Sequence, residues 1–459
     1  MQCQKAVGPT WGLNPNTCKW LFTVVIRPML SYSAVVWVNA LNNRHNSAKL
    51  QKVQSLALKI ATGAMPKSST ITLNKLTGLP DIINYIRGEA AKGAARLQGY
   101  GDWTKELAPT KSTIMSHTTI CNDFLNKLNL PKSEWDLTKP MLVLDRNFDT
   151  SISDTSELKD MINSIPSNAI TCYTDGSKTE EGTGFGYIVT SNCNQLTLSD
   201  YHAKLPDFCT VYQAEITAIN KVAASLSGSR NESIYILSDS QSAINCMNSI
   251  SMRSKTAINC YFALNDLAVH NSVILCWVKG HVEIWGNEKA DELAKLGTVS
   301  EITDKGYVPQ SLIKRRVNEH VLSQGNSEWN LNAPRHSNMV LKCNKNIPTE
   351  LGYHVNNRQD YLNIVQLGTG RAGVNHTLHM MELSDTKECP KCGNEDETIS
   401  HFLGHCPMYA SIRGEKFGEY YLSMTDIFSG FSIKKIAAYV RSTKRLEYNR
   451  ESFRDSGVT

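Results

Sequence analysis

Four carboxylates in this 459-residue chain stand in contexts that suit metal-dependent chemistry. Asp175 ends the alternating run Ile170-Thr171-Cys172-Tyr173-Thr174. Glu215 lies in an apolar-periodic segment from Val211 to Leu226, and Asp239 follows the continuous run Ile234-Tyr235-Ile236-Leu237-Ser238. Asp291 sits in a second helical pattern, Asn287 to Leu296. Carboxylates gathered at one point cannot all stay ionised alone, because like charges raise each other's pKa. Divalent cations resolve the conflict, and magnesium prefers oxygen ligands while keeping several waters. Two such ions about 4 Å apart activate a water and stabilise the leaving oxygen of a phosphodiester. Folding is therefore expected to gather Asp175, Glu215, Asp239 and Asp291 around two Mg2+ (or Mn2+) ions.

A second constellation uses softer donors. Cys389-Pro390-Lys391-Cys392 is a tight turn that places two thiolates together. His401 follows after eight residues and Cys406 after four more. Two ligands on a knuckle and two on a following helix or turn suit one tetrahedral zinc ion, structural because four protein ligands leave no open position. His405 is an alternative to His401, but it adjoins Cys406 and makes poor geometry. The other ten of the 13 cysteines are dispersed singly, as expected of small core residues in a reducing compartment.

The elements that must position the carboxylates follow from periodicity. Strands are expected at 170–175, 184–190, about 194–202, 233–238 and 272–278, with helices at 210–226, 240–249, 256–268 and 287–296. An antiparallel start followed by alternating helices and strands predicts an α/β fold, a five-stranded mixed sheet flanked by helices. In such a sheet Asp175 and Asp239 end adjacent strands, and two helices can aim Glu215 and Asp291 at the same spot.

These local sequences also carry a resemblance. Asp175-Gly176-Ser177-Lys178, Gly184-Phe185-Gly186, Gln213-Ala214-Glu215-Ile216-Thr217-Ala218, Ser238-Asp239-Ser240-Gln241 and Gly286-Asn287-Glu288-Lys289-Ala290-Asp291 together resemble type 1 ribonuclease H, in the family's order, across 168–298. The resemblance implies a ribonuclease H-like fold and hydrolysis of the RNA strand of RNA–DNA hybrids. It implies that the four carboxylates are catalytic metal ligands. His281, in Lys279-Gly280-His281, matches the family's flexible-loop histidine, which helps proton transfer or product release. Glu283 and Trp285 depart from the family's pattern, in which many relatives carry a glycine and a proline or smaller residue. Gly176, Ser177, Gln241 and Asn287 are the substrate-contact candidates by their position beside the carboxylates, since hybrid recognition needs the 2′-hydroxyls of one strand and the backbone of the other. Only Ser251 to Lys255 separates the two central helices, so the basic handle of some relatives is expected to be absent.

The flanks resemble parts of a non-LTR retrotransposon polyprotein. Thr10-Trp11-Gly12-Leu13, Arg27-Pro28-Met29-Leu30-Ser31-Tyr32, Val36-Trp37 and the helix from Leu50-Gln51 to Thr62-Gly63 resemble a reverse transcriptase just after the palm, reaching into the thumb and connection. No paired-aspartate polymerase motif is present, so no reverse transcription is expected. The cysteine cluster resembles the Cys-Cys-His-Cys motif found downstream of ribonuclease H in such proteins. The expected organisation is a helical thumb-like region at 1–103, a polar connecting stretch at 104–167, the ribonuclease H domain at 168–298, and a mainly helical region at 299–459 with the zinc motif at 389–406. Within the last region a basic helix is expected from Pro309 to Val321, then a basic loop through Arg335 and Lys345.

Composition sets looser bounds. A net charge of +5 is compatible with a polyanionic partner without requiring one. No apolar run approaches the roughly 18 residues of a membrane span, and an intracellular location, nucleus or cytoplasm, is expected. The reading with most support is an endonuclease acting on RNA–DNA hybrids, with other nucleic acid as a plausible partner and no membrane. The alternative is a catalytically idle nucleic-acid-binding protein.

Overall fold

The structure, a computed structural model, describes residues 13–101, 114–143, 145–152, 162, 164–191, 196–280, 284–353 and 357–446. Thr10 to Gly12, His281 and Glu283 lie outside these residues. The chain divides into two compact units, one of 92–118 with 122–317, the other of 1–91, 119–121 and 318–459.

The first unit is built on a six-stranded sheet. Its strands are β1 (Asp149–Ser151), β2 (Ile170–Lys178), β3 (Thr183–Ser191), β4 (Leu196–Leu205), β5 (Ser233–Ser238) and β6 (Ser272–Trp277), in the order β1-β6-β5-β2-β3-β4. β2, β3 and β4 form an antiparallel meander, while β5 runs parallel to β2 and β6 to β5. Helices α1 (Val211–Ser225), α2 (Gln241–Met247), α3 (Lys255–Ala268) and α4 (Trp285–Val299) cover it. Cys172 and Ile236 share a core with residues of α1 and α3, such as Ile216 and Leu264. Their neighbours Tyr173 and Leu237 pack on the other face with Ala290 of α4. Burial on both faces explains why β5 reads as a nearly continuous apolar run, and each fully buried Ile or Leu there contributes about 1.5–3 kcal/mol.

The sheet has one strand more than the five expected. Asp149–Ser151 pairs parallel with Ile274–Cys276, from a stretch that reads as a polar connection. Backbone hydrogen bonds to an open sheet edge hold it, so no apolar alternation is required. Phe148 anchors it, buried edge-on against Tyr261 with ring centroids 5.8 Å apart. The same stretch supplies Asp136, which accepts from Gln213 Nε2 at 2.9 Å, Ser254 Oγ at 2.8 Å and the Thr256 N–H at 2.9 Å. One carboxylate thus ties the starts of α1 and α3 together. Between α2 and α3 the chain makes only a two-residue strand, Ser251–Met252, paired with Met141–Leu142.

The second unit has a single core drawn from both ends of the chain. Leu58, Leu73 and Leu76 share it with Val340, Ile364, Val365, Phe402 and Tyr439. Helix Arg44–Thr62 ends at Gly63, whose φ of +66° suits glycine, and the Gly63 carbonyl accepts from Gln366 Nε2 at 3.0 Å. Thr72 and Ser337 pair their buried hydroxyls at 3.1 Å. The helix expected to end near Val321 continues to Asn332. The expected basic loop contains instead the helix Arg335–Cys343. Its Val340 and Leu341 are buried while Arg335 and Lys342 are exposed, so the charges form the solvated face of an amphipathic helix. No single described helix is long and apolar enough to cross a membrane.

Candidate metal centres

Asp175, inside β2 where its pairing with β5 stops, converges with Glu215 and with Asp239, which follows β5. One oxygen of each lies within 4.8 Å of the others. β2 and β5 are parallel neighbours in register from Ile170 with Ile234 to Thr174 with Ser238, so the next residues, Asp175 and Asp239, emerge side by side. Glu215 arrives from α1, whose start is fixed by a capping box. Thr210 Oγ1 accepts from the Gln213 N–H at 3.2 Å, and Gln213 Oε1 accepts from the Thr210 N–H at 3.0 Å. Such a cap contributes about 1 kcal/mol and sets which residues face the sheet.

Gly176 lets α1 come close enough. A Cβ there would stand 2.4 Å from the Glu215 nitrogen and 2.8 Å from the Ala214 carbonyl carbon. Gly184 and Gly186 do the same for α4, since a Cβ on either would fall within 2.5 Å of that helix's backbone. The glycines of the family resemblance therefore act as close-approach positions for α1 and α4.

The acids perturb one another. Burial first, then the charges of Asp239 and Asp291, push the Asp175 carboxyl well above the usual carboxylate range. Burial, then Asp175 and Asp239, push Glu215 up further. The backbone amide of Gly176 partly opposes both rises. Glu215 Oε2 is buried without a protein hydrogen-bond partner. An unpartnered buried oxygen on a member of a carboxylate cluster is a donor that a hard, oxygen-seeking cation uses, so Mg2+ or Mn2+ fits these residues.

Asp291 stands differently. It raises the pKa of Asp175 through its charge, yet it falls outside the group of three and pairs with Lys295, one turn on, at 2.6 Å. Of the expected substrate contacts, Ser177 is half-buried and Gln241 exposed at the first turn of α2. Asn287 is buried with its Oδ1 unpartnered, and Gly176 is covered by the α1 backbone. Trp277, not anticipated, donates its indole N–H to the Asp239 carbonyl at 3.0 Å. Nothing in its sequence context beyond the strand end signals this role.

The cysteine cluster assembles as expected. One atom each of Cys389, Cys392, His401 and Cys406 lies within 4.8 Å of the others. The Sγ atoms of Cys389 and Cys406 are 3.8 Å apart, and Cys392 Sγ is 3.4 Å from His401 Nε2. Gly393, at φ +64°, closes the knuckle by donating its N–H to the Cys389 carbonyl at 2.9 Å. His401 opens the turn His401–His405, and the Cys406 N–H donates to the His401 carbonyl at 2.7 Å. Arg413, fully buried, braces the far side by donating to the Cys406 carbonyl at 2.5 Å. His405 is exposed and outside the cluster, so the soft donor set that suits zinc is the one with His401.

Comparison with known proteins agrees with this architecture. Residues 167–299 match the RNase H family. No curated protein matches the chain. Among solved structures, RNase H1 from the halophilic archaeon Halobacterium salinarum NRC-1 is similar at 16% identity and a TM-score of 0.24, covering 28% of this chain and 97% of its own. The N-terminal RNase H domain of rv2228c from Mycobacterium tuberculosis, solved as a fusion with maltose binding protein, gives 18% identity and 0.25, covering 28% and 98%. LC11-RNase H1, solved in complex with RNA/DNA hybrid, gives 17% and 0.24, covering 28% and 96%. The sheet and its helices form a ribonuclease H-like fold over the residues that match the RNase H family.

Proposed function

We propose that this chain hydrolyses the RNA strand of RNA–DNA hybrids at the Asp175–Glu215–Asp239 cluster. The observation that carries the reading is the convergence of these three carboxylates within 4.8 Å inside a domain of the RNase H family. The three side chains would hold the divalent ions, with Asp291 joining them once it turns from Lys295. When bound, such ions activate the attacking water and stabilise the leaving oxygen. Gly176, with no side chain, lets α1 bring Glu215 up beside Asp175. Ser177, Gln241 and Asn287 are assigned to the sugar and backbone of the hybrid. His281 is assigned to moving a proton or releasing product.

In the other unit, Cys389, Cys392, His401 and Cys406 would hold one structural zinc ion. The resemblances at 1–103 and around the cysteines support a retrotransposon-derived, intracellular protein. One observation favours the alternative, an idle nucleic-acid binder: Asp291 is already engaged by Lys295. Cleavage of an end-labelled RNA–DNA hybrid with magnesium separates the two. Wild type should cut the RNA, and Asp239→Asn should lose activity on the order of 10²–10³-fold, the scale of removing one preorganised electrostatic group. Equal activity of the two proteins, or none from wild type, rules the nuclease reading out.

A further inference from the structure

The knuckle contains an acid that the ligand pattern does not use. Glu395 Oε2 lies 2.9 Å from His401 Nδ1, on the opposite side of the ring from the Nε2 that faces Cys392 Sγ. The imidazole is buried, 3% exposed as a residue, while the Glu395 side chain is 68% exposed. The turn that presents the thiolates also fixes the position of Glu395. Its carbonyl accepts from the Cys389 N–H at 2.8 Å, and Glu388 and Asp396 form a β-bridge beside it. One short segment therefore delivers Cys389, Cys392 and a carboxylate aimed at the third ligand.

We infer that Glu395 is a positioning residue of the zinc centre: its carboxylate accepts the Nδ1–H of His401 and so fixes the tautomer that leaves the Nε2 lone pair for the metal. This rests on the zinc reading above. A carboxylate can only accept here, so a neutral imidazole must carry its proton on Nδ1. The negative charge also raises the basicity of the ligating nitrogen and holds the ring plane. His405 lacks this preparation, because its Nδ1 lies 3.4 Å from the Ser400 hydroxyl and its ring is exposed. The same contact explains why His401 rather than its neighbour completes the cluster.

The test uses the full chain, stripped of metal and titrated with zinc against a chromophoric chelator. Loss of an outer carboxylate from a metal-bound histidine costs about 10–100-fold in affinity, and the exposure of Glu395 puts the expected loss for Glu395→Ala near the lower end, about tenfold. Glu395→Gln keeps an acceptor oxygen and should fall between Ala and wild type. Because the side chain is largely exposed, both variants should retain the wild-type far-ultraviolet circular dichroism. Nitrogen-15 NMR of the imidazoles in the zinc-loaded wild type should find the His401 proton on Nδ1. Zinc affinity of Glu395→Ala within twofold of wild type, or a proton on Nε2, would overturn the inference. Failure of wild type itself to take up zinc is a separate result, which removes the zinc reading and the inference with it.

Discussion

The two clusters are assembled in opposite ways. The cysteine site lies within a single segment, Cys389 to Cys406, and a glycine turn and one short helical turn suffice to close it. The carboxylate site draws on β2, on the residue after β5 and on α1, and only the sheet register makes its members neighbours. The local site offers four soft donors, which would enclose one ion. The long-range site offers three hard donors, and Glu215 among them has an unpartnered buried oxygen. A site closed by local chain needs only a turn to form, whereas a site gathered from distant elements carries a cost in electrostatic repulsion.

Metal removal should divide the sites most sharply. Structural zinc in small modules contributes on the order of 10 kcal/mol, and Cys389 and Cys406 belong to the same core as Leu58, Leu73 and Leu76. Stripping zinc should therefore abolish hydrogen-exchange protection at Leu73–Leu76 while leaving protection in β2 and β5. Uniform loss across both units, or no loss in either, would erase the distinction.

Substitutions at the close-approach glycines come next. Gly176→Ala places a methyl against the α1 backbone, and overpacking of this kind costs about 1–3 kcal/mol. Urea unfolding should show that loss together with weakened divalent-ion binding. A variant with unchanged stability and ion affinity would mean that α1 can retreat without moving Glu215.

The electrostatic cost should appear as a dependence on pH. In the metal-free protein the folded Asp175 and Glu215 carboxyls titrate above their unfolded values of about 3.9 and 4.3. Their contribution to stability is complete below those unfolded values and is lost as pH rises through the elevated folded ones. The metal-free RNase H unit should thus melt lower at pH 8 than at pH 5, and magnesium should restore it. Glu215→Gln, which cannot ionise, should gain about 1–3 kcal/mol over wild type at pH 8 without metal. A variant no more stable than wild type there would show that the repulsion is already relieved.

The smallest effect concerns Lys295. Its pairing with Asp291 is exposed and worth less than about 1 kcal/mol. Lys295→Ala should lower the magnesium concentration for half-maximal cleavage by a few fold at most. A rise would show that Lys295 supports, rather than competes for, the bound ions.

Legibility in the sequence followed the same division. The cysteine ligands could be read from spacing alone because their geometry is local. The strand before Asp239 could be read because burial on both faces leaves a continuous apolar run, and the strand through Asp175 because its side chains alternate. The edge strand Asp149–Ser151 could not, since backbone bonding to β6 needs no side-chain pattern. Nor could the common core of Leu73 and Tyr439, where two amphipathic segments far apart in sequence give no sign of which partner each will find. The Lys295 contact and the Glu395 contact were hidden for another reason: an exposed acid or base beside a functional residue looks like ordinary solvated charge.

The most direct test is a crystal of the full chain soaked in manganese, with anomalous scattering recorded. At least one peak is expected at coordinating distance, about 2.2 Å, from oxygens of Asp175, Glu215 and Asp239 together. A map with no peak there at millimolar manganese, from crystals in which the three side chains are ordered, would contradict that expectation.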